Sequence, residues 1–413
     1  MKLTRRRILS LLPAAAAGLH LSFAEQMEAQ HRHLFGKKSR VALPARQPFV
    51  YFGTDTSHPN ARGIYLSQFD QVSGQISFPQ LAADHVRGSF MALNHSGTRP
   101  FLYVCNEGDE KSSSIVTYAS GPLTGALHEL GRVPSGGAGP AYISVDAAGK
   151  SAYVANYAGG TVASFQIQPD GTLSQPVDVV NVRDRNIFRA PGPQADRQEA
   201  AHPHSAMLSP DNRFLVVNDL GTDSLITFAV DTETAKLGPP YIEPNPHAGA
   251  GPRHVAFHPN GRWVYGIDEL KSTIDQYLWN ATHASPDIAE EAFLTYTGHT
   301  VSTVAPEFHG MNTAAEIFIS PSGFYLYASN RGEDSLVVFS IEQSRGALTV
   351  MQRISSGGKG PRFFTFDPTG KWVIVGNQFG DSVTTFACEP GSGRLSGPVQ
   401  TLPMGGPMYT LFV

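Results

Sequence analysis

Short apolar runs separated by turn residues fill the chain from residue 49 onward, and their order repeats. Each unit has an apolar run that usually follows a proline, a turn of the Ser-Pro-Asp-Asn type, a second apolar run, and then an Asn or Asp. Runs of this length bounded by Gly, Pro, Asn and Asp are typical of β-strands. The clearest copies span residues 203–219, 252–268 and 361–377, and weaker copies begin at Gly88, Pro140 and Ala314.

The residue that ends the second run marks the period of the repeat. It is, in chain order, Thr54, Asn106, Asn156, Asn218, Asp268, Asn330 and Asn377. The steps between these positions are 52, 50, 62, 50, 62 and 47 residues. Self-similar β-patterned units of this length are typical of a propeller with four strands per blade. We therefore predict an all-β fold, a seven-bladed β-propeller that spans residues 48–413.

The two ends of the repeat region are complementary. The region begins with a second-type run at residues 49–54, which has no first-type run before it, and it ends with a surplus first-type run at residues 407–413. Ring closure would remove the free sheet edges that an open array exposes. We expect the C-terminal strand to complete the first blade.

Composition narrows the range of partners. The chain has a formal net charge of −4 and no basic stripe, which disfavours nucleic acid as a partner. Cys105 and Cys388 lie in different repeats, and their spacing indicates neither a disulfide nor a metal site. The oligomeric state does not follow from the sequence.

The first 47 residues do not share the repeat. Arg5 and Arg6 precede an apolar run at residues 8–23, and Ser22-Phe23-Ala24 has the small-x-small pattern of a signal-peptidase site. We predict a twin-arginine-type signal peptide over residues 1–24, cleaved after Ala24, and a flexible lead-in over residues 25–47. An ordinary secretory signal is the alternative. The mature protein would be periplasmic or secreted, without a membrane anchor, because the apolar run is short.

Broken symmetry in the repeat locates a candidate site. A hairpin joins the two apolar runs of each repeat, so the start of the first run and the end of the second run lie together. The seven blades place seven such ends around one mouth of the central channel. Ionisable residues at these positions concentrate in blades four to six: His204, Asp219, Arg253, His254, Glu269, Glu316 and Arg331, with Arg362 beside them. General acid–base chemistry on an anionic substrate requires such groups. Asp55 and Glu107, at the same register elsewhere, are expected to be solvated or turn residues.

Each candidate also has a structural interpretation. His202 and His204, two residues apart, point to one face of an extended chain. They could cap backbone groups, bind substrate or ligate a metal, but no further ligand follows at a fixed spacing and Arg253 would repel a cation. Asp219 could serve turn chemistry alone.

Ion pairing between blades would explain other members of the set. Glu269 with Arg253, or Glu316 with Arg331, could simply connect neighbouring blades. Two insertions account for the 62-residue steps, at residues 181–201 and 283–312. Both lead into the charged side of the mouth, where long loops often form walls or lids.

Several motifs resemble a known family, in the expected order. They are Asp196-Arg197-Gln198-Glu199, His202-Pro203-His204-Ser205, Gly251-Pro252-Arg253-His254, Asp268-Glu269-Leu270, Ala315-Glu316-Ile317 and Ser329-Asn330-Arg331-Gly332. They are similar to those of the seven-bladed lactonase family, which includes the propeller-type 6-phosphogluconolactonases and the fungal carboxymuconate cyclases. The resemblance covers about residues 48–413 and implies a site on His204, Arg253, Glu269 and Arg331. Asp268 stands where that family more usually has Asn.

Together these observations predict an exported lactonase that hydrolyses a small anionic lactone of a sugar acid, as a 6-phosphogluconolactonase does, without a metal or cofactor. Glu269 or His204 would act as the base, and Arg253 and Arg331 would stabilise the oxyanion or hold an anionic group. The residues expected to bind substrate are His202, Asp219, His254, Glu316 and Arg362. A muconate-type cycloisomerase and a non-catalytic binding propeller stay open as alternatives.

Overall fold

The computed structural model describes residues 47–94, 100–280 and 293–413. The predicted signal peptide and nearly all of the predicted lead-in lie outside the described residues, so both stay predictions. The described part forms seven antiparallel sheets. Its only helical element is a short 3-10 turn at Gln378–Gly380. The structure thus confirms the predicted seven-bladed propeller.

Each repeat forms one blade, and the strands of blades two to seven follow chain order from the channel outward. Blades two and three contain β5 (Gly88–Asn94), β6 (Phe101–Asn106), β7 (Ser114–Ser120), β8 (Leu127–Pro134), β9 (Pro140–Val145), β10 (Ser151–Asn156), β11 (Thr161–Gln166) and β12 (Asp178–Asn181). Blades four and five contain β13 (Pro203–Leu208), β14 (Phe214–Asp219), β15 (Ser224–Asp231), β16 (Lys236–Pro244), β17 (Pro252–Phe257), β18 (Trp263–Asp268), β19 (Thr273–Trp279) and β20 (Leu294–Ser302). Blades six and seven contain β21 (Thr313–Ile319), β22 (Tyr325–Arg331), β23 (Ser335–Ile341), β24 (Leu348–Ser355), β25 (Pro361–Phe366), β26 (Trp372–Asn377), β27 (Ser382–Cys388) and β28 (Leu395–Pro403).

The first blade is built from both ends of the described chain. Its strands are β1 (Phe49–Thr54), β2 (Gly63–Asp70), β3 (Gln75–Ile76), β4 (Gln80–Asp84) and β29 (Pro407–Phe412). Strand β29 pairs antiparallel with β1, with Leu411 opposite Tyr51. The outer position is shared by β3 and β4, which pair with different parts of β2. The predicted closure by the C-terminal strand is confirmed.

The turn between the first and second strands of a blade explains the Ser-Pro-Asp-Asn motif. In blade four, Asn212 has a φ of 58°, a left-handed conformation that Asn adopts more readily than most residues. The backbone N–H of Asn212 donates to the Ser209 carbonyl at 2.8 Å, which closes the turn. This hairpin places the start of β13 and the end of β14 at the same end of the blade.

Neighbouring blades are tied together by a repeated tyrosine contact. The hydroxyl groups of Tyr51, Tyr103, Tyr265 and Tyr327, each in the second strand of its blade, are buried. Each donates to the carbonyl of a glycine in the third-to-fourth-strand turn of the next blade, at 2.6, 2.9, 2.7 and 2.9 Å. A buried hydroxyl requires such a partner. The contact therefore fixes the angle between successive blades as well as filling the core.

Aromatic rings fill the channel below the mouth. Phe90, Tyr142, Phe363 and Tyr409 come from the inner strands of four blades. The Phe90 ring lies 4.0 Å from the rings of both Tyr142 and Tyr409, and Phe363 lies 4.1 Å from Tyr409, measured between centroids. These ring contacts pack the inner strands of four blades against one another.

Two smaller observations complete the description. Cys105 and Cys388 are both buried and free. Among the described residues, no helix has the length and apolar character needed to cross a membrane.

Candidate active site at the channel mouth

A β-bulge at the start of the inner strands shapes the mouth. In blade four the pairing moves from Pro203–Asp219 directly to Ser205–Asn218, so His204 has no partner across the ladder. The same shift leaves Arg253 unpaired in blade five and Arg362 in blade seven. Bulges re-aim the side chain of the extra residue. This repeated irregularity is why the residue after the proline carries the site chemistry.

The bulged residues and the ends of the second strands enclose a cavity of about 290 Å³. It is lined by Glu107, Gly139, Ala141, Tyr157, Ala158, Arg197, His204, Glu269, Arg331 and Arg362. Glu269 and Arg331 directly follow the Asp or Asn that ends each repeat's second apolar run. His204 and Arg362 are the bulge residues of their blades.

Glu269 is the centre of the cluster, because it binds three guanidinium groups. Its Oε1 accepts from Arg197 Nη2 at 2.6 Å, and its Oε2 accepts from Arg253 Nε at 3.1 Å and from Arg331 Nη2 at 2.9 Å. Burial opposes ionisation of this carboxyl, but Arg331, Arg253 and Arg197 outweigh it and lower the pKa of Glu269 to about 2. A carboxylate this acidic is a weak proton acceptor at neutral pH. It is well suited to hold the arginines in place.

His204 has the opposite character. Its ring is buried, and within the described part of the chain its Nδ1 has no hydrogen-bond partner. Burial lowers the pKa of His204 well below the usual 6.5, and the positive charges of Arg253, His254, Arg362 and Arg331 lower it further. The imidazole is therefore neutral at physiological pH. Its Nδ1 is enclosed by the protein, and the residue lines the cavity.

Arg362 supplies positive charge that no carboxylate of the described residues contacts directly, although Glu107, Glu269 and Asp55 favour its charged form through space. The structure shows no hydrogen bond from its guanidinium to any described residue, although it lines the cavity. Arg253, by contrast, is buried behind Glu269 and donates through Nη1 to the Ala315 carbonyl at 2.5 Å. Burial lowers the pKa of Arg253 to about 9, which still leaves it charged at neutral pH. Of these two arginines, Arg362 is the one placed to bind an anion directly.

Of the five predicted substrate-binding residues, only Arg362 belongs to the cavity lining. His202 and Asp219 lie behind the cavity wall. His202 Nδ1 donates to the Tyr157 carbonyl at 2.9 Å, and its ring stacks on the Tyr157 ring at 4.5 Å. Asp219 accepts from the backbone N–H of His202 at 2.6 Å and from Thr222 Oγ1 at 2.6 Å, and burial raises its pKa. Both side chains are occupied in shaping the wall, because they position Tyr157 and the strand that carries His204.

His254 and Glu316 form a buried pair further down the channel. His254 Nδ1 lies 3.1 Å from Glu316 Oε1, and the His254 ring lies 5.1 Å from that of His204 and 5.3 Å from that of Tyr142. The pKa of His254 is lowered, chiefly by burial, with Glu316 opposing the shift. The predicted pairing of Glu316 with Arg331 does not occur, since Arg331 binds Glu269 instead.

Arg197 and Tyr157 line the cavity, although the sequence predicts no role for either side chain. Arg197 lies in the first insertion, and only its ion pair with Glu269 shows which arginine of that loop reaches the mouth. Tyr157 occupies the register of Glu269 in blade three, and its hydroxyl lies 3.4 Å from Arg197 Nη2. Glu107, expected to be a solvated or turn residue, also lines the cavity. Asp55 instead binds Arg87 at 2.9 Å.

The His202–His204 pair does not have the environment of a metal site. His202 Nε2 lies 2.8 Å from Glu199 Oε1, so contacts within the protein occupy both of its ring nitrogens. Among the described residues, no group of three or more His, Cys, Asp or Glu side chains could hold a metal ion.

Comparison with known proteins adds to this geometry. A family model described as "Lactonase, 7-bladed beta-propeller" matches residues 49–412. The 6-phosphogluconolactonase of Bacillus subtilis is 31% identical over 368 residues, which cover 88% of this chain and 97% of the relative. A 6-phosphogluconolactonase of Formosa agariphila is 29% identical, covering 86% and 97%. Among solved structures, the periplasmic gluconolactonase of Pseudomonas aeruginosa superposes with a TM-score of 0.78 at 28% identity, covering 89% of this chain and 99% of that one.

Proposed function

Because the chain belongs to the seven-bladed β-propeller lactonase family, we propose that it hydrolyses the lactone of a sugar acid in the cavity at the channel mouth. The observation that carries this proposal is the arginine cluster around Glu269, which lies beside a neutral histidine, His204, in the lining of the same cavity. Lactone opening needs a base near the attacking water and positive charge near the carbonyl oxygen. The cavity holds both.

The reaction forms one bond to the lactone carbonyl carbon and breaks another. A water oxygen attacks this carbon while His204 accepts a proton from the water, and the carbonyl oxygen becomes an oxyanion. Collapse of this intermediate breaks the ring C–O bond, and protonated His204 returns the proton to the departing ring oxygen. The product is the open-chain hydroxy acid. A base of this kind typically contributes about 10²- to 10⁴-fold in rate.

Some of the arginines contact the substrate, and the others hold neighbouring side chains in position. Arg331 and Arg362 line the cavity, so they stabilise the oxyanion or bind a carboxylate or phosphate on the substrate. Arg253 acts through Glu269, because it is buried behind that carboxylate. Glu269, which keeps its negative charge, holds the arginine cluster together.

A direct assay tests the proposal. Purified protein is given glucono-1,5-lactone, its 6-phosphate and cis,cis-muconate, with acid release or ultraviolet absorbance followed against the uncatalysed rate. We expect hydrolysis of at least one of the two sugar lactones and no turnover of muconate. Muconate turnover alone would assign the protein as a cycloisomerase, and no turnover of any of the three would favour a binding propeller.

Arg362→Ala tests whether the unpaired guanidinium binds the substrate. A hydrogen bond to a charged group contributes about 1.5–3 kcal/mol, so the KM for an anionic lactone should rise about ten- to hundredfold. Arg262→Ala is the matched control, because Arg262 follows the turn at the opposite end of its blade. An unchanged KM in Arg362→Ala would contradict the proposed contact.

We also propose that the protein is exported before it acts. The proposal rests on the twin-arginine pattern at Arg5 and Arg6, and the periplasmic location named for the Pseudomonas aeruginosa protein is in keeping with it. Export favours an unphosphorylated lactone as the physiological substrate, because sugar phosphates are chiefly cytosolic. Replacing both arginines with Lys should leave unprocessed protein in the cytosol, as cell fractionation would show. Unchanged export would indicate an ordinary secretory signal.

A further inference from the structure

A groove of about 740 Å³ opens beside the catalytic cavity and is more than twice its size. Arg197 and Arg331 belong to the linings of both. The groove runs between the first insertion, which contributes Arg197, and the segment before β21, which contributes Phe308 and Met311. The cavity and the groove are therefore neighbours, with these two side chains between them.

The wall on the side of the first insertion is held by buried hydrogen bonds. Gln198 donates through Nε2 to the Leu220 carbonyl at 2.8 Å and to Asp223 Oδ1 at 2.7 Å, and its Oε1 accepts from the Gln194 N–H at 3.1 Å. Gln198 is itself buried. The turn that presents Arg197 is thus fixed to blade four.

The opposite wall is fixed in a similar way. Asn312 donates through Nδ2 to Ser272 Oγ at 2.8 Å, and its Oδ1 accepts from the Glu333 N–H at 3.0 Å. The Ala305 N–H donates to Glu333 Oε1 at 2.7 Å. Two walls held in this manner form a preorganised site, which lowers the entropic cost of binding.

The lining combines one aromatic face with polar groups that have no partner among the described residues. Phe308 is half-buried, and Met311, at the rim, is 94% exposed. Across the described residues, neither the Asp196 carboxylate nor the Lys271 ammonium group makes a hydrogen bond or ion pair. An apolar surface with a few donors and acceptors is the lining that sugar rings require, since each ring presents apolar C–H faces and a rim of hydroxyl groups.

We propose that the groove binds a glycosyl unit attached to the lactone ring, so that the enzyme accepts disaccharide lactones as well as monosaccharide ones. The inference rests on the proposed function, which places the lactone ring in the cavity, and it adds a substrate class. In the complex, the glycosyl ring lies against Phe308, while Lys271 and Asp196 bind its hydroxyl groups. The two insertions that lengthen the repeat then serve substrate selection.

The test compares two lactones with the full-length purified enzyme. For cellobiono-1,5-lactone, Phe308→Ala and Lys271→Ala should each lower kcat/KM about tenfold, since aromatic contacts and hydrogen bonds contribute on this scale. For glucono-1,5-lactone, which does not reach the groove, kcat/KM should stay within about twofold of wild type. Phe324→Ala is the control, because Phe324 is half exposed at the opposite end of its blade and should affect neither lactone.

Equal effects of the two groove variants on both lactones, or no effect on either, would overturn the inference. The proposed function fails only if the 6-phosphate of gluconolactone is not hydrolysed either. If the enzyme hydrolyses neither cellobiono- nor glucono-1,5-lactone, the groove is tested by binding alone. Calorimetry with cellobionic acid and gluconic acid, both stable in water, should show tighter binding of cellobionic acid and a loss of that difference in Phe308→Ala. Indistinguishable affinities would overturn the inference independently of catalysis.

Discussion

In three blades the Asn that ends the second strand anchors its own blade to the preceding one. Asn156, Asn330 and Asn377 donate through Nδ2 to a backbone carbonyl just after the outer strand of the preceding blade, at 2.9, 3.0 and 3.4 Å. Blade five reverses this polarity. Asp268 has no N–H to donate, and Asn245, in the equivalent loop, donates to Asp268 Oδ1 at 2.8 Å and to Asp275 Oδ2 at 3.2 Å. Two buried carboxyl groups therefore share one amide.

Asp268→Asn should stabilise the protein as the pH rises. Burial, and then the nearby Asp275 carboxylate, raise the pKa of Asp268 well above its usual value. The favourable contribution of protonated Asp268 is therefore complete below the unfolded-state pKa and is lost as pH rises through the folded-state pKa. An amide cannot ionise, so the variant should match wild type near pH 4 and melt at least about 2 °C higher at pH 8.

Calorimetric melting curves between pH 4 and pH 8 measure this difference. Asp109→Asn is the control, because hydrogen bonds from Ser112 lower the pKa of this exposed carboxyl and its contribution has the opposite pH dependence. A melting-temperature difference between Asp268→Asn and wild type that is constant with pH would contradict the prediction.

The pH profile of kcat/KM should identify His204 as the base. Because burial and the surrounding positive charges lower its pKa well below 6.5, His204 stays neutral and active into mildly acidic solution. The acid limb should therefore lie below pH 6.5. His204→Asn should reduce kcat about 10²- to 10⁴-fold and abolish that limb.

His258→Asn is the matched control for the histidine. His258 is also buried, but it lies in the hairpin turn at the far end of blade five, where its Nε2 donates to the Gly323 carbonyl at 2.8 Å. Activity and the acid limb should be unchanged in this variant. An acid limb that survives in His204→Asn would assign the base elsewhere.

At the scale of elements, the buried side chain of Gln198 helps to tie the first insertion to the propeller. Gln198→Ala removes the hydrogen bonds to Leu220 and Asp223 that fix the turn carrying Arg197. We expect kcat/KM to fall about tenfold, because a displaced Arg197 no longer reaches Glu269 and misalignment near the reacting atoms is costly. The melting temperature should change by only a few degrees, because the blades do not depend on this loop.

Gln352→Ala separates the loop effect from a general loss of packing. Gln352 is a comparable linker, since it donates to the Leu395 carbonyl at 2.7 Å and accepts from the Leu395 N–H at 2.8 Å between blades six and seven. Its loss should reduce stability and leave kcat/KM unchanged. If both glutamine variants reduce activity equally, the positioning role of Gln198 is wrong.

At the scale of the molecule, the ring depends on its last strand. Deleting residues 407–413 removes the inner strand of blade one, in which Met408, Tyr409 and Thr410 are buried. Lost apolar burial amounts to about 1.5–3 kcal/mol for each large side chain, and the edge of β1 is exposed. We expect a melting temperature at least about 5 °C lower, or insoluble protein.

A permuted chain provides the control for this deletion. The Val413 N–H donates to the Phe49 carbonyl at 2.9 Å, so the end of the last strand lies beside the start of β1. In the permuted chain, residues 407–413 precede Phe49, and a copy of the Asp-Pro-Thr-Gly-Lys turn of blade seven joins the two segments. This chain should recover wild-type stability, since it restores the same strand pairing. A deletion variant that melts within a degree or two of wild type would contradict the closure argument.

The sequence by itself determined the number of blades, their boundaries and the way the ring closes. These properties follow from local rules, because alternating apolar residues and turn residues set the strands and their register, and the repeat supplies seven independent copies. The same register placed His204, Glu269, Arg331 and Arg362 at one mouth of the channel. A periodic chain carries this information in each repeat.

Only the tertiary structure decided which side chains converge there and what each can do. Arg197 lies in an insertion without periodicity, and its position depends on the packing of Gln198 against Asp223. The sequence left Glu269 and His204 as equal candidates for the base, whereas their pKa values depend on burial and on the three guanidinium groups around Glu269. Charge interactions act through space between different blades, so no pattern along the chain records them.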